Sequence, residues 1–311
     1  MNMFGSKIIG WGSALPTEVV TNHDFEARLD TNDAWITERT GIKERRFGGT
    51  TSSLAIEASQ KALANAGLLP SDIGLMVLST TTPDQLVPAT SGIIQAELGL
   101  KCGAFDINAA CAGFVYALVI GHSMIATGVE RALVIGSDTL SRITDQDDRS
   151  TAVLFADGAG AVILERTTPE ANTVLGWDLG VDGSLAPILY CNHGDFLKME
   201  GREVFKQAVL AMVSSANAAM QRAGVQASDI SLVVPHQANI RIIEAANKRL
   251  GIAMDKTAIV LDTTGNTSSG SVPIALAFAA DKGMINPGEY ILFTGFGAGM
   301  TWASAVVRWD K

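Results

Sequence analysis

The sequence predicts an α/β protein built from two similar halves, and three observations carry that prediction. The chain has 311 residues, of which 47% are hydrophobic and 18% charged. That is enough length for about two packed halves and too little charge for disorder. Two long runs, Ile107–Val129 and Thr263–Ala280, contain no Asp, Glu, Lys or Arg. They read as helices buried inside the protein rather than as membrane spans, because polar and small residues such as Asn108, His122 and Ser123 thin their apolar density. Two such helices imply a layer sandwiched between sheets. Finally, Ala62–Leu78 (ALANAGLLPSDIGLMVL) and Ala219–Pro235 (AMQRAGVQASDISLVVP) lie 157 residues apart and agree at eight of 17 positions. A repeat of that kind is the mark of a duplicated unit.

Each element follows from local pattern. In the first half, Ile8–Gly10, Gly74–Ser79, Gly103–Ile107 and Ala132–Gly136 read as strands, and Ser52–Ala66 and Ala112–Gly128 as helices. Asp157-Gly158-Ala159-Gly160 reads as a turn leading into a strand at Ala161–Leu164. The polar stretch Arg166–Thr173 is the expected seam, dividing the chain into 1–166 and 167–311. Beyond it, Glu203–Ala223 and Asn239–Gly251 read as helices, and Ile230–Pro235, Tyr290–Phe293 and Trp302–Trp309 as strands. At the repeat offset Ser79 faces His236, Gly113 faces Gly270, and Ser268 falls on Cys111.

Composition excludes several classes. The net charge of −9 argues against a nucleic-acid partner. The cysteines Cys102, Cys111 and Cys191 are too few and too odd in number for a disulfide framework, which fits a reducing compartment. The N-terminus lacks the basic end and apolar stretch of a signal peptide, so a cytoplasmic protein is expected. Cys191-x-His193-x-Asp195 lacks the spacing of a metal site.

Four constellations could carry chemistry. Cys111 follows a strand and opens a helix among Ala109, Ala110, Ala112 and Gly113. The helix N-terminus would lower its pKa, although a small buried hydrophobe is also possible. His236 ends a buried strand, where α/β crevices bind ligands, or is simply structural. Asn266, in Asp262–Gly270, is a helix cap, a catalytic donor or both. Gly295-Phe-Gly-Ala-Gly299 is a poor dinucleotide fingerprint, because the chain ends too soon after it. It reads as a turn whose N–H groups face a site, or as a plain hairpin.

Taken together, Asn108–Gly113 (NAACAG), Val234–Asn239 (VPHQAN), Gly265–Ser268 (GNTS), Gly295–Trp302 (GFGAGMTW), Trp35–Glu44 (WITERTGIKE) and Asp157–Gly160 (DGAG) resemble the β-ketoacyl-acyl-carrier-protein synthase III enzymes of the thiolase superfamily. The resemblance spans nearly the whole chain. It implies a five-layered αβαβα fold, a homodimer, and priming of type II fatty-acid synthesis from acyl-CoA and malonyl-acyl-carrier protein, with no cofactor and no metal. It further implies Cys111 as nucleophile and the N–H groups of Cys111 and Ala298 as oxyanion hole. His236 and Asn266 would be donors to the enolate. Trp35, Arg39, Arg149 and Phe205 would be coenzyme A contacts, and Phe296 and Val87 acyl-pocket residues. Val87 stands where some relatives carry Phe at the tip of a dimer-crossing loop. The basic residues Arg241, Lys248 and Arg249, on the helix after His236, are the expected docking site for an acidic carrier protein.

Rival functions are separable. A thiolase would need a second Cys in residues 295–299, which carry none. A hydroxymethylglutaryl-CoA synthase would need a Glu base near Ser79, where Thr80–Pro83 stand and only Asp84 is close. A synthase-III-like acyltransferase of secondary metabolism would keep Cys and His and is the runner-up. A non-catalytic partner subunit would lack the nucleophile.

Overall fold

The computed structural model describes residues 3–311; residues 1 and 2, where the reading of the N-terminus begins, lie outside them. The repeated segments fold alike. Helices Thr51–Ala66 and Gly201–Ala223 each end on a glycine in the left-handed region, Gly67 (φ 68°) and Gly224 (φ 70°). Only glycine takes this conformation without a Cβ penalty. A single 3₁₀ turn follows in each copy, Pro70–Asp72 and Ala227–Asp229. Asp72 accepts the Leu69 N–H and Asp229 the Gln226 N–H, both at 2.8 Å. The chain then enters the strands Leu75–Ser79 and Ile230–Pro235.

Two sheets result. The first runs Gly5–Ala14, Asp157–Thr167, Arg131–Thr139, Leu75–Ser79, Gly103–Ile107 in spatial order, and the second Val174–Val181, Thr301–Arg308, Tyr290–Gly297, Ile230–Pro235. The strand directions match pair by pair: antiparallel, antiparallel, parallel. In the second sheet the counterpart of the fifth strand is one parallel bridge, Val233 to Thr257. The helices Gly113–Ala126 and Ser271–Asp281 pack between the sheets, and their residues join both sheets in the largest core cluster. Thr51–Ala66 and Thr90–Glu97 cover the outer face of the first sheet, and Gly201–Ala223 with Ile240–Leu250 that of the second. These are the five layers αβαβα. No helix among the described residues is long and apolar enough to cross a membrane.

Four local expectations are corrected. Asp157–Gly160 is not a turn but the start of the strand Asp157–Thr167. Its glycines make room for the buried helix: a Cβ on Gly160 would lie 2.7 Å from Pro273, and one on Gly158 2.9 Å from Thr267. The helix expected from Ala112 begins at Gly113, after a 3₁₀ turn at Ala110–Ala112. The charge-free run from Thr263 is helical continuously only from Ser271, because Gly265 and a second 3₁₀ turn, Ser268–Gly270, interrupt it. Gly295–Gly297 belong to a strand, so the turn is confined to Ala298–Met300.

Candidate active site

The 3₁₀ turns at the heads of the two buried helices define the site. Each is preceded by an Asn whose side chain takes the first N–H of the turn: Asn108 Oδ1 accepts the Ala110 N–H at 3.1 Å, and Asn266 Oδ1 accepts the Ser268 N–H at 2.9 Å. Each has one non-glycine residue at positive φ, Ala110 (47°) and Ser268 (49°). The spacing here is 158, one more than in the strands. The counterpart of Cys111 is therefore Ser269, not Ser268 as expected, and Ser268 is free to meet the Cys111 side chain.

Cys111 sits where two cavities meet. One, of about 800 Å³, is bounded by Leu86, Leu140, Phe155, Leu189, Phe196 and Ala298, among others. The other, of about 160 Å³, is bounded by Phe205, His236, Asn239, Asn266 and Phe296. Cys111, Phe155 and Leu189 line both. The approach is tight: a Cβ on Gly297 would lie 2.5 Å from the Cys111 nitrogen. That nitrogen and the Ala298 segment thus share one wall.

The expected lowering of the Cys111 pKa is not what the surroundings produce. Burial pushes the thiol up to about 12, with the Ser268 hydroxyl pulling down and the buried Asp138 carboxylate pushing up. Burial therefore outweighs the helix end that begins two residues later, at Gly113.

His236 is buried, and burial lowers its pKa to about 3, so the ring is neutral at physiological pH. Its Nδ1 lies 2.7 Å from Ser271 Oγ. That oxygen also accepts the Gln237 N–H at 3.3 Å, so Ser271 holds the ring with its Nε2 edge turned away from the serine. Asn266 is oriented in the same way: its oxygen is occupied by Ser268, which leaves the amide NH₂ to donate. A neutral imidazole and the Asn266 amide therefore face the small cavity. Ser271 and Asp138 were missed by the sequence reading, and Ser268 was noted there only as the position falling on Cys111. The acid ending an otherwise apolar strand was the visible clue for Asp138.

The remaining residues divide by place. Phe205 and Phe296 line the small cavity, and the Phe296 ring meets that of His236 edge-on at 5.4 Å. Trp35, Arg39 and Arg149 line neither cavity. They form their own cluster, with the Arg149 and Arg39 guanidinium carbons 5.0 and 5.7 Å from the Trp35 ring. Arg149 also pairs with Asp30. Asn239 Nδ2 donates to the Arg39 carbonyl at 3.0 Å, tying this cluster to the mouth of the small cavity. Val87 lines neither cavity of its own chain and is 84% exposed, whereas its neighbour Leu86 lines the large one. Arg241, Lys248 and Arg249 are exposed on the helix that Asn239 caps, and none of the three is ion-paired among the described residues. Cys191, His193 and Asp195 line the large cavity, and no group of three metal-binding side chains occurs among the described residues.

Comparison with known proteins decides the family. Residues 105–183 match the family described as 3-oxoacyl-[acyl-carrier-protein (ACP)] synthase III, and residues 220–309 its C-terminal part. The β-ketoacyl-[acyl-carrier-protein] synthase III of Erythrobacter litoralis is 47% identical, covering 99% of this chain and all of the relative. The chain belongs to the 3-oxoacyl-[acyl-carrier-protein] synthase III family. The synthase III 1 of Bacillus anthracis is 45% identical over 98% of the chain and 99% of its own length. The crystal structure of the Aquifex aeolicus synthase III superimposes with a TM-score of 0.96 at 44% identity, covering 98% of this chain and 100% of that one. The priming β-ketosynthase of the R1128 polyketide pathway matches at 0.95 with 34% identity, covering 100% and 98%. The fold is thus the thiolase-like one, and the protein is a condensing acyltransferase that initiates fatty-acid synthesis. The secondary-metabolism reading is not favoured, since the polyketide enzyme is the more distant relative.

Proposed function

We propose that this synthase III condenses an acyl-CoA starter with malonyl-acyl-carrier protein in two half-reactions at Cys111. One observation carries the reading: the thiol lies at the junction of two cavities, and the smaller one also holds His236 and Asn266. In the first half-reaction Cys111 sulfur attacks the acyl carbonyl. The N–H groups of Cys111 and Ala298 hold the oxyanion, and the thiol proton leaves with coenzyme A. The acyl chain rests in the large cavity. In the second, malonyl-carrier protein enters through the small cavity. Its carboxylate departs as CO₂, and the electron pair moves onto the thioester oxygen. A neutral Nε2–H of His236 and the NH₂ of Asn266 stabilise that enolate without abstracting a proton. The enolate carbon then attacks the acyl carbonyl, the C–S bond breaks, and Cys111 leaves as a thiolate that takes up a proton, giving β-ketoacyl-carrier protein and the free thiol.

Trp35, Arg39 and Arg149 would bind the nucleotide end of coenzyme A by stacking and charge, with Phe205 along the way to the thiol. No cofactor or metal is needed. Arg241, and behind it Lys248 and Arg249, would dock the acidic carrier protein. Leu86 and Val87, 81% and 84% exposed, fit a homodimer in which this loop closes the partner's acyl pocket. The halves 1–166 and 167–311 each supply one 3₁₀ turn, and the cytoplasm suits three free thiols. Separating the half-reactions tests the reading: Asn266→Ala should acylate normally and fail to decarboxylate malonyl-carrier protein. Loss of both steps alike would remove the assigned roles.

A further inference from the structure

The two halves differ at one buried position in a way that the reaction leaves unexplained. In the first sheet Ser79 pairs with Gly136. In the second, Pro235 pairs with Thr294, which sets His236 beside Gly295. Ser79 corresponds to His236, so Gly136 corresponds to Gly295 and Asp138 to Gly297. Contacts bear out the equivalence. A Cβ on Gly136 would strike the Ser269 carbonyl at 2.1 Å, and one on Gly295 would have the Cys111 carbonyl among its nearest atoms, at 3.6 Å.

Asp138 is fully buried. Its Oδ2 accepts the Ser269 N–H at 3.0 Å and lies 2.7 Å from Ser269 Oγ. Its Oδ1 accepts the Thr81 and Thr82 N–H groups at 2.7 and 3.1 Å, and the hydroxyls of Thr80, Thr81 and Thr82 lie 2.8–3.0 Å from it. Ser269 is the counterpart of Cys111. The N–H that receives a substrate oxyanion in one half thus receives a carboxylate of the protein itself in the other, and glycine at 297 keeps the first site open.

We propose that Asp138 is a positioning residue: its carboxylate permanently fills the second copy of the oxyanion site, and by binding Ser269 and residues 80–82 it holds Asn266 and Ser268 in place beside Cys111. The anchor is short. Ser269 follows Ser268 directly and stands three residues from Asn266, while Thr81 and Thr82 form part of the acyl cavity wall. The proposal rests on the reading of Asn266 as an enolate donor.

The test compares Asp138→Asn with wild type in both half-reactions. The amide must turn its NH₂ toward one set of donors, and a lost hydrogen bond to a charged group costs roughly tenfold or more. Malonyl-carrier-protein decarboxylation should fall by at least that factor, and by clearly more than Cys111 acylation does. The pH profile of Cys111 alkylation should also move to lower pH. His236 is neutral and Asp138 is the charged group bearing on the thiol, so removing that charge eases ionisation. An unchanged decarboxylation rate, or an equal fall in both steps with an unmoved alkylation profile, overturns the proposal. Should Asp138→Asn not fold, Asp138→Gly decides the matter. It leaves a carboxylate-sized gap ringed by donors, so formate and not formamide should restore thermal stability and decarboxylation. Formate without effect overturns the proposal. Asn266→Ala run alongside separates the two ideas: if it decarboxylates normally the enolate assignment fails, while formate rescue of Asp138→Gly stability and its Cys111 alkylation profile still report on the anchor.

Discussion

Two glycines two residues apart should respond oppositely to the same substitution. A Cβ on Gly297 would lie 2.5 Å from the Cys111 nitrogen, 2.8 Å from Ala110 Cβ and 3.1 Å from Thr301 Oγ1, whereas ordinary contact starts at 3.4 Å. Gly297→Ala must therefore displace the nucleophile turn by roughly 0.9 Å or distort the strand. Neither gives easily, since Thr301 Oγ1 is bonded to the Ala109 carbonyl at 2.9 Å. A misplacement of about 1 Å costs on the order of 10² in rate, and overpacking costs about 1–3 kcal/mol of stability. The added methyl also sits over the N–H assigned to the oxyanion. At Gly295 the nearest atoms to a Cβ are 3.5–3.6 Å away, so Gly295→Ala should keep near-normal acylation. The assay is the single-turnover rate of Cys111 acylation, read by intact mass, with a thermal melt to separate chemistry from unfolding. Wild-type acylation in Gly297→Ala would refute the placement of Cys111, and equal damage from both variants would refute the reasoning from distances.

Other outcomes follow from the same geometry. Asn266→Ala should slow malonyl decarboxylation by ~10²–10³ while sparing acylation, as expected for one missing donor; partial-reaction rates check it. Free Cys111 should alkylate more slowly than an ordinary thiol at pH 7, because burial raises its pKa and the thiolate is the nucleophile; a neutral-pH rate like that of a free thiol would contradict it. His236 binds its proton only near pH 3 when folded but near 6.5 when unfolded, so it contributes a loss of stability as pH falls through that window. His236→Asn should flatten this part of the stability profile measured by denaturant titration. Arg241→Glu should raise KM for malonyl-carrier protein and leave Cys111 acylation intact, and added salt should weaken the wild-type interaction.

The sequence disclosed the duplicated architecture because the repeat preserved devices that act locally: a left-handed glycine, an Asp closing the next turn, an apolar strand. It disclosed the buried helices because absence of charge over runs of 23 and 18 residues has few other causes. It misread Asp157–Gly160 because paired glycines signal a turn unless a neighbour crowds the strand, and here the neighbour, Pro273, is more than 110 residues away in sequence. The strands Glu18–Thr21 and Glu44–Phe47 went unnoticed for a related reason: ERRF carries three charges, and its Arg45 is buried among the Val20 and Val153 carbonyls and Asn22.

The site divided along the same line. Cys111, His236 and Asn266 stood at strand ends and helix heads, positions that sequence can locate, and the structure places all three around the same small cavity. What sequence could not supply was environment. The helix-end argument for a lowered Cys111 pKa considered one neighbour, and burial outweighed it. Ser271 and Asp138 act only through contacts across the fold. Their chemistry, a hydroxyl beside an imidazole and a carboxylate amid backbone N–H groups, shows only when the halves are packed together.

The central claim is that Cys111 carries the acyl group between two substrates. Intact-mass analysis of the wild-type protein, first with acyl-CoA and then with malonyl-acyl-carrier protein, tests it most directly. The account predicts a single acyl adduct, mapped by peptide analysis to Cys111, that disappears on the second addition as β-ketoacyl-carrier protein forms. An adduct on Cys102 or Cys191, or an adduct on Cys111 that malonyl-carrier protein does not discharge, would contradict it.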